Sequence, residues 1–305
     1  MFRFFAIFFI VIKLLSFEIK NYLPINGCII DTNSTLKVAI REFSYKDTNY
    51  YLVVDPNTLN SSFKVASNIY PCPKELNTTR YYKLLDASIS NPLHPLQNDG
   101  IVGAKSGIYL STDLCPSSKS GFEERLYKAI IKKFQNPVPL TLFITKKWIT
   151  KHKEAFEKLK EWEKEKKLNI NWGNHTAKHI YHKNIPLNKN FALSKEEHLI
   201  DDILELEVTL IEEGLIPSVF FRFPGLVSNK ETISLVKELG LITIGSNAWL
   251  AKGQNIKDGS IILLHGNKNE PKGVDIFLKF INESNITKLD DLKNLDIHTL
   301  NAKNE

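Results

Sequence analysis

His175-Thr-Ala-Lys-His179 sets two imidazoles four residues apart, a spacing at which both rings of a helical turn face the same way and share one divalent ion. Alone, such a pair is more often incidental than a ligand set, as His152, His182, His198 and His298 are read here. Three further groups stand at chemically useful places. Gly259-Ser-Ile-Ile-Leu-Leu-His265 ends an apolar run on a histidine, and Phe220-Phe-Arg222-Phe-Pro-Gly225 sets an arginine among phenylalanines. A cation in such surroundings needs a carboxylate or a ligand to justify its burial. Ser111-Thr-Asp113-Leu-Cys115-Pro116 supplies an acid at the end of another apolar run. Each signal is weak alone; their order along the chain is what gives them weight.

The elements that must hold these groups follow a rhythm beginning near Gly107. Ile108–Leu110 reads as a strand and Glu123–Phe134 as a helix with Leu126, Ile130 and Ile131 on one side. Pro139–Ile144 is a second strand, followed by a long charged helix from Lys147. Leu168–Trp172 is a third strand, and a helix over Ser194–Glu213 opens on a capping box of Ser194 and Glu197. Val219–Phe223, a helix ending at Leu239-Gly240, Leu241–Ile244, Ile261–Leu264 and a closing helix over Val274–Ile281 complete the series. Strands alternating with helices predict a parallel sheet or barrel with its chemistry where strands end and loops begin. Residues 18–104 lack this rhythm. Leu36–Arg41 and Tyr50–Val54 read as antiparallel strands of an accessory region without a chemical motif, and residues 286–305 as a polar tail.

The ordered set resembles the NodB-like polysaccharide deacetylases, carbohydrate esterase family 4. In that family a first strand ends in Thr-Phe-Asp-Asp-Gly-Pro, and a later one runs into Asn-His-Ser/Thr with a second His four residues on. Here these are Asp113 to Pro116, and Asn174, His175, Thr176 and His179. An Arg-x-Pro-x-Gly motif follows, here Arg222 to Gly225 with one residue missing, and a Leu-x-His closes the set, here Leu263-Leu264-His265. Pro139-Leu-Thr-Leu-Phe-Ile-Thr is similar to the family's second strand. The resemblance covers residues 105–285 and implies an α/β fold, a distorted (β/α) barrel with the site at the strand C-termini and a partly β extension before it. It implies an N-acetylated polysaccharide as substrate and a divalent ion, usually zinc, held by His175 and His179. Asp113 would be the base, His265 the general acid and Arg222 the orienting partner of Asp113.

Two departures touch this picture. Leu114 stands where the family places its third metal ligand, and leucine cannot bind a metal. Two histidines with water and another group, a swung Asp113, or loss of catalysis with the groove kept for binding all remain open. Cys115 is a possible soft ligand, although its place beside Pro116 argues for a structural role. A further family motif, an Asp and a Trp, appears here as Asn247 and Trp249, so the tuning of the acid differs as well. Trp148, Trp162, Trp172 and Trp249 are expected in the core.

Composition bounds the rest. The chain has 305 residues, 43% of them hydrophobic and 24% charged, as expected of a folded protein of one large domain or a domain with an extension. The net charge is +6, but only five of 40 basic residues are Arg, and the Lys of residues 146–167 alternate with Glu as on a solvated face. Nucleic acid is therefore not an expected partner. Arg3 followed by the mostly apolar run Phe4–Phe17 has the plan of a secretory signal, too short for the roughly 20 apolar residues of a span. Residues 1–17 are read as a signal peptide or an uncleaved anchor, with membrane contact only there. Export to the periplasm, exterior or membrane surface suits a disulfide between Cys28 and Cys72, leaving Cys115 over. The expected function is deacetylation of an envelope or extracellular polysaccharide. Behind it stand a hydrolase of the same fold acting on another amide or ester, and an inactive glycan-binding envelope protein.

Overall fold

A computed structural model describes residues 18–31, 34–66, 68–89, 96–195 and 198–297. The expected N-terminal signal or anchor and His298 lie outside these residues. Among the described residues no helix is long and apolar enough to cross a membrane.

The chain opens with four antiparallel strands in sequence order, β1 (Lys20–Ile30), β2 (Leu36–Tyr45), β3 (Thr48–Val54) and β4 (Ser61–Lys64). A short helix, α1 (Arg80–Ala87), follows. The alternation of β2 sends Val38 and Ile40 to one face, where they join Leu52 and Val54 against Phe220 and Ile242 of the main domain. Cys28 and Cys72 form a disulfide that closes the edge of this sheet. The extension is thus an antiparallel layer packed on the barrel. It is fastened by Arg41, which is fully buried and donates to both carboxylate oxygens of Glu207 at 2.7 and 3.0 Å.

The main domain runs β5 (Ile108–Leu114), α2 (Glu124–Lys133), β6 (Val138–Ile144), α3 (Lys146–Lys151), α4 (Lys153–Lys164), β7 (Leu168–Asn174) and α5 (Leu199–Glu212). It closes with β8 (Phe220–Phe221), α6 (Lys230–Glu238), β9 (Ile242–Thr243), β10 (Ala248–Trp249), β11 (Ser260–His265) and α7 (Pro271–Glu283). The strands form one parallel seven-stranded sheet, order β10-β11-β5-β6-β7-β8-β9, the distorted (β/α) barrel expected from the sequence. Strands buried on both faces read as continuous apolar runs, as Ile261–Leu264 does. The helices cover the sheet with amphipathic faces such as Leu126, Tyr127 and Ile130 of α2. Registry fixes the site: His265 pairs with Asp113 across β11 and β5, Ile144 with Asn174, and Asn174 with Phe221. Every element that carries a candidate group therefore ends at one edge.

Several local expectations are corrected. The charged helix after β6 breaks at His152, whose ψ of 48° interrupts it, into α3 and α4. The helix expected from Ser194 begins at Leu199 with His198 at its cap, because Phe191–Leu193 is already wound into a separate short 3-10 turn; Glu197 lies outside the described residues. A capping box forms instead at α6, where Asn229 and Thr232 exchange hydrogen bonds. The first part of the expected polar tail packs under the barrel: Leu289, Leu292 and Leu295 are buried, and Asp291 accepts from Asn169 and Asn171.

Candidate active site

The residues following these strand ends line a cleft of about 740 Å³, with Asp113, Cys115, His179, Trp249, His265 and Glu270 in its wall. Asp113, Arg222, His175, His179 and His265, singled out in the sequence from distant segments, are brought together here.

Arg222 has the partners its burial requires. Its Nη1 donates to Asp113 Oδ1 at 2.7 Å, and its Nε and Nη2 donate to the carbonyls of Ile244 and Gly245. Its guanidinium lies 4.1 Å from the Phe143 ring centre. One oxygen of Asp113 is thus fixed, while Oδ2 lies 3.9 Å from His175 Nε2. A carboxylate held by one oxygen with the other turned to a cleft is suited to accept a proton.

The two histidines do not sit on a helical turn. After β7 the chain leaves regular structure, with positive φ at Thr176 (66°) and His179 (48°). Positive φ is uncommon outside glycine, and several hydrogen bonds hold the loop in it. Asn174 Oδ1 accepts from the Thr176 N–H and Thr176 Oγ1 from the His179 N–H. The buried Asp202 on α5 accepts from the Lys178 N–H. The outcome expected of a helix is reached by another route: the two rings meet edge to face with centroids 5.0 Å apart. His175 Nδ1 lies 2.7 Å from the Arg222 carbonyl. A carbonyl only accepts, so Nδ1 carries the proton and Nε2 is left to bind something else.

Cys115 is not an isolated structural thiol. Its sulfur lies 3.5 Å from His175 Nε2, and it forms with His175 and His179 a group whose ligand atoms all fall within 4.8 Å of one another. Burial alone would push the thiol up, but the His179 and His175 imidazoles outweigh it and hold it well below the usual cysteine range. Burial likewise opposes the charge on His175, and the Cys115 and Asp113 charges outweigh it and raise that imidazole. His179 Nε2 is buried without a hydrogen-bond partner, an orphaned polar atom of the kind a ligand or ion satisfies. The donor set fits a divalent metal of the zinc type.

Leu114 is fully buried on the opposite face of β5, in the main core. On the other side of the cleft His265 Nδ1 lies 2.8 Å from Glu270 Oε2, an ion-pair contact rather than an aligned hydrogen bond. Trp249 Nε1 donates to the same Glu270 oxygen at 2.7 Å. Glu270 carried no sequence signal beyond standing five residues after His265 and just before the proline that opens α7. Asn247 does not face His265's partner oxygen; its side chain bonds the Gly259 carbonyl and the Ile261 N–H. Trp148, Trp162 and Trp172 are core residues as expected, whereas Trp249 is half-buried and lines the cleft. Tyr181, 56% exposed and stacked on Phe191, also lines the cleft and had no signal in the sequence.

Comparison with known proteins gives two family matches. Residues 102–244 match the family described as polysaccharide deacetylase, and residues 20–89 the family described as RP012 protein N-terminal domain. Similar solved structures include a family 4 carbohydrate esterase from Bacillus anthracis, 22% identical over 70% of this chain and 90% of that one, TM-score 0.47. Another is Bacillus subtilis PdaA, a family 4 carbohydrate esterase, 14% identical over 81% and 94% of the two chains, TM-score 0.46. A CE4 family pseudoenzyme from Bacillus anthracis is 12% identical over 86% of both chains, TM-score 0.46.

Proposed function

We propose, from a barrel whose residues 102–244 match the polysaccharide deacetylase family of hydrolases acting on non-peptide carbon–nitrogen bonds, that this chain removes N-acetyl groups from a polysaccharide outside the cytoplasm. The observation that carries the proposal is the meeting of Asp113, Arg222, His175, His179 and His265 at one cleft from four separate strand ends.

His175 and His179 would hold a divalent ion, zinc by the chemistry of their donors. Such an ion supplies polarisation of the acetamide carbonyl and a lowered pKa for its water. The chain's own residues do the rest. Arg222 fixes Asp113 so that Oδ2 takes a proton from the attacking water. His265, held against Glu270, faces the cleft from the adjacent strand and returns a proton to the departing amine nitrogen. Trp249 and Tyr181 offer aromatic surface to the sugar rings. Export is proposed on the apolar run Phe4–Phe17 and the Cys28–Cys72 disulfide, which persists in oxidising compartments.

The test is acetate release from N-acetylglucosamine oligomers, with an acetylated xylan as the ester control, for wild type and Asp113→Asn. Release from the oligomers alone, lost in the variant, is expected. Release only from the ester would transfer the chemistry to another bond of the same cleft. Sugar binding without any release would favour the inactive glycan-binding reading, for which Leu114 at the ligand position speaks.

A further inference from the structure

We infer that the sulfur of Cys115 is the third protein ligand of the metal centre, making this a Cys-His-His site that selects thiophilic ions such as zinc and cobalt over magnesium and manganese. The inference rests on the reading of His175 and His179 as ligands and adds the atom that completes their set.

Strand geometry makes the placement. Side chains alternate along extended backbone, and Asp113 in β5 and Cys115 just after it both line the cleft while Leu114 between them lies in the core behind. The residue that fails as a ligand is thus flanked by two that face the cleft. Distances then separate these two. In a tetrahedral zinc site with Zn–S about 2.3 Å and Zn–N about 2.05 Å, sulfur and nitrogen stand about 3.6 Å apart. Cys115 Sγ and His175 Nε2 are 3.5 Å apart. Asp113 is farther from the same nitrogen, at 3.9 Å, and its other oxygen is committed to Arg222.

Orientation agrees with distance. The Nδ1 proton of His175 is spent on the Arg222 carbonyl, so Nε2 meets the sulfur with its lone pair. His179 contributes a second nitrogen, Nε2, that is buried and unbonded. Cys115 itself is 5% exposed. Among the described residues this is the group of His, Cys, Asp or Glu whose ligand atoms converge within 4.8 Å. The fourth position faces the cleft, the open arrangement of a catalytic rather than a structural zinc site. Thiolate is a soft donor, which orders the ions as stated.

The experiment is a cobalt(II) titration of the metal-free full protein, followed by absorption, for wild type, Cys115→Ser, Cys115→Asp and His175→Ala, with circular dichroism to confirm folding. Wild type should bind one cobalt with visible bands and an intense near-ultraviolet sulfur-to-cobalt band. Cys115→Ser should lose the ultraviolet band and bind at least the roughly 10–100-fold more weakly that even outer-shell partners are worth. Cys115→Asp should recover affinity without the band and shift preference toward manganese. Visible bands that vanish in His175→Ala, with no ultraviolet band dependent on Cys115, would overturn the thiolate ligand and leave the two-histidine reading standing. No cobalt binding in the folded wild type would overturn both.

Discussion

Replacing Arg41 with methionine, a side chain of similar length without the charge, should test how the N-terminal layer is fastened to the barrel. In the native protein the guanidinium donates twice to Glu207, at 2.7 and 3.0 Å, and also to the carbonyls of Ile40 and Leu239 at 2.7 and 2.6 Å. Both side chains are buried, at 0% and 1% exposure. Arg41→Met leaves the Glu207 carboxylate with the Tyr22 hydroxyl as its remaining side-chain partner in this network. Breaking a buried pair from one side costs about 3–5 kcal/mol, since the surviving charge keeps its desolvation penalty. Two carbonyls losing a donor add about 1 kcal/mol each where water cannot reach them. Together these give an expected loss of about 5–7 kcal/mol, a large share of the 5–15 kcal/mol of a typical folded protein. The double variant Arg41→Met, Glu207→Leu removes both charges and should recover at least about 2 kcal/mol of it, because a buried ion pair is often replaceable by apolar groups. Urea denaturation followed by circular dichroism, on oxidised protein, measures both. A single-variant loss below about 1 kcal/mol, or a double variant as unstable as the sum of its singles, would show that the Arg41–Glu207 pair does not fasten the layer.

Removing the Cys28–Cys72 bridge by paired alanine substitution releases a sequence separation of 44 residues and should lower stability by about 2–4 kcal/mol in the same assay. Burial pushes the Asp55 carboxyl up, but a 2.6 Å hydrogen bond from Lys37 and the N–H groups of Thr58 and Asn57 outweigh it and bring it to about 2. Because the folded value is depressed, this stabilisation is present above about pH 4 and is lost as pH falls through about 2. Lys37→Met should move the carboxyl titration, followed by NMR, back toward the ordinary range; no movement would discount the lysine. His265→Ala should reduce kcat by about 10²–10⁴-fold with KM little changed, as expected of a general acid. Glu270→Gln should fall between wild type and His265→Ala in kcat, and a normal kcat would show that Glu270 does not position the acid.

The barrel was legible because its signals are periodic and local: apolar strand cores such as Ile261–Leu264, amphipathic helices such as α2, and punctuation between them. Arg222 was legible for a different reason, since a cation among phenylalanines requires a partner, and Asp113 is that partner. The helical turn assumed between His175 and His179 is absent, because positive φ at both Thr176 and His179 is held by hydrogen bonds that the loop N–H groups donate to Asn174 nearby and to Asp202 on α5, which spacing alone does not disclose. In the sequence Cys115 reads as a possible soft ligand with the neighbouring Pro116 arguing for a structural role, and alternation along extended backbone is the signal that sets it on the side of Asp113. Glu270 could not be read at all: it reaches His265 through a loop whose path depends on where α7 docks. The start of α5 moved for a similar reason, a local capping signal yielding to a 3-10 turn already formed by the preceding residues.

The measurement that bears most directly on the function is metal content of the purified protein together with acetate release from N-acetylglucosamine oligomers, for wild type and His175→Ala. The deacetylase reading predicts about one zinc per chain and acetate release, both lost in the variant. A folded wild type that holds no metal and releases no acetate would contradict it.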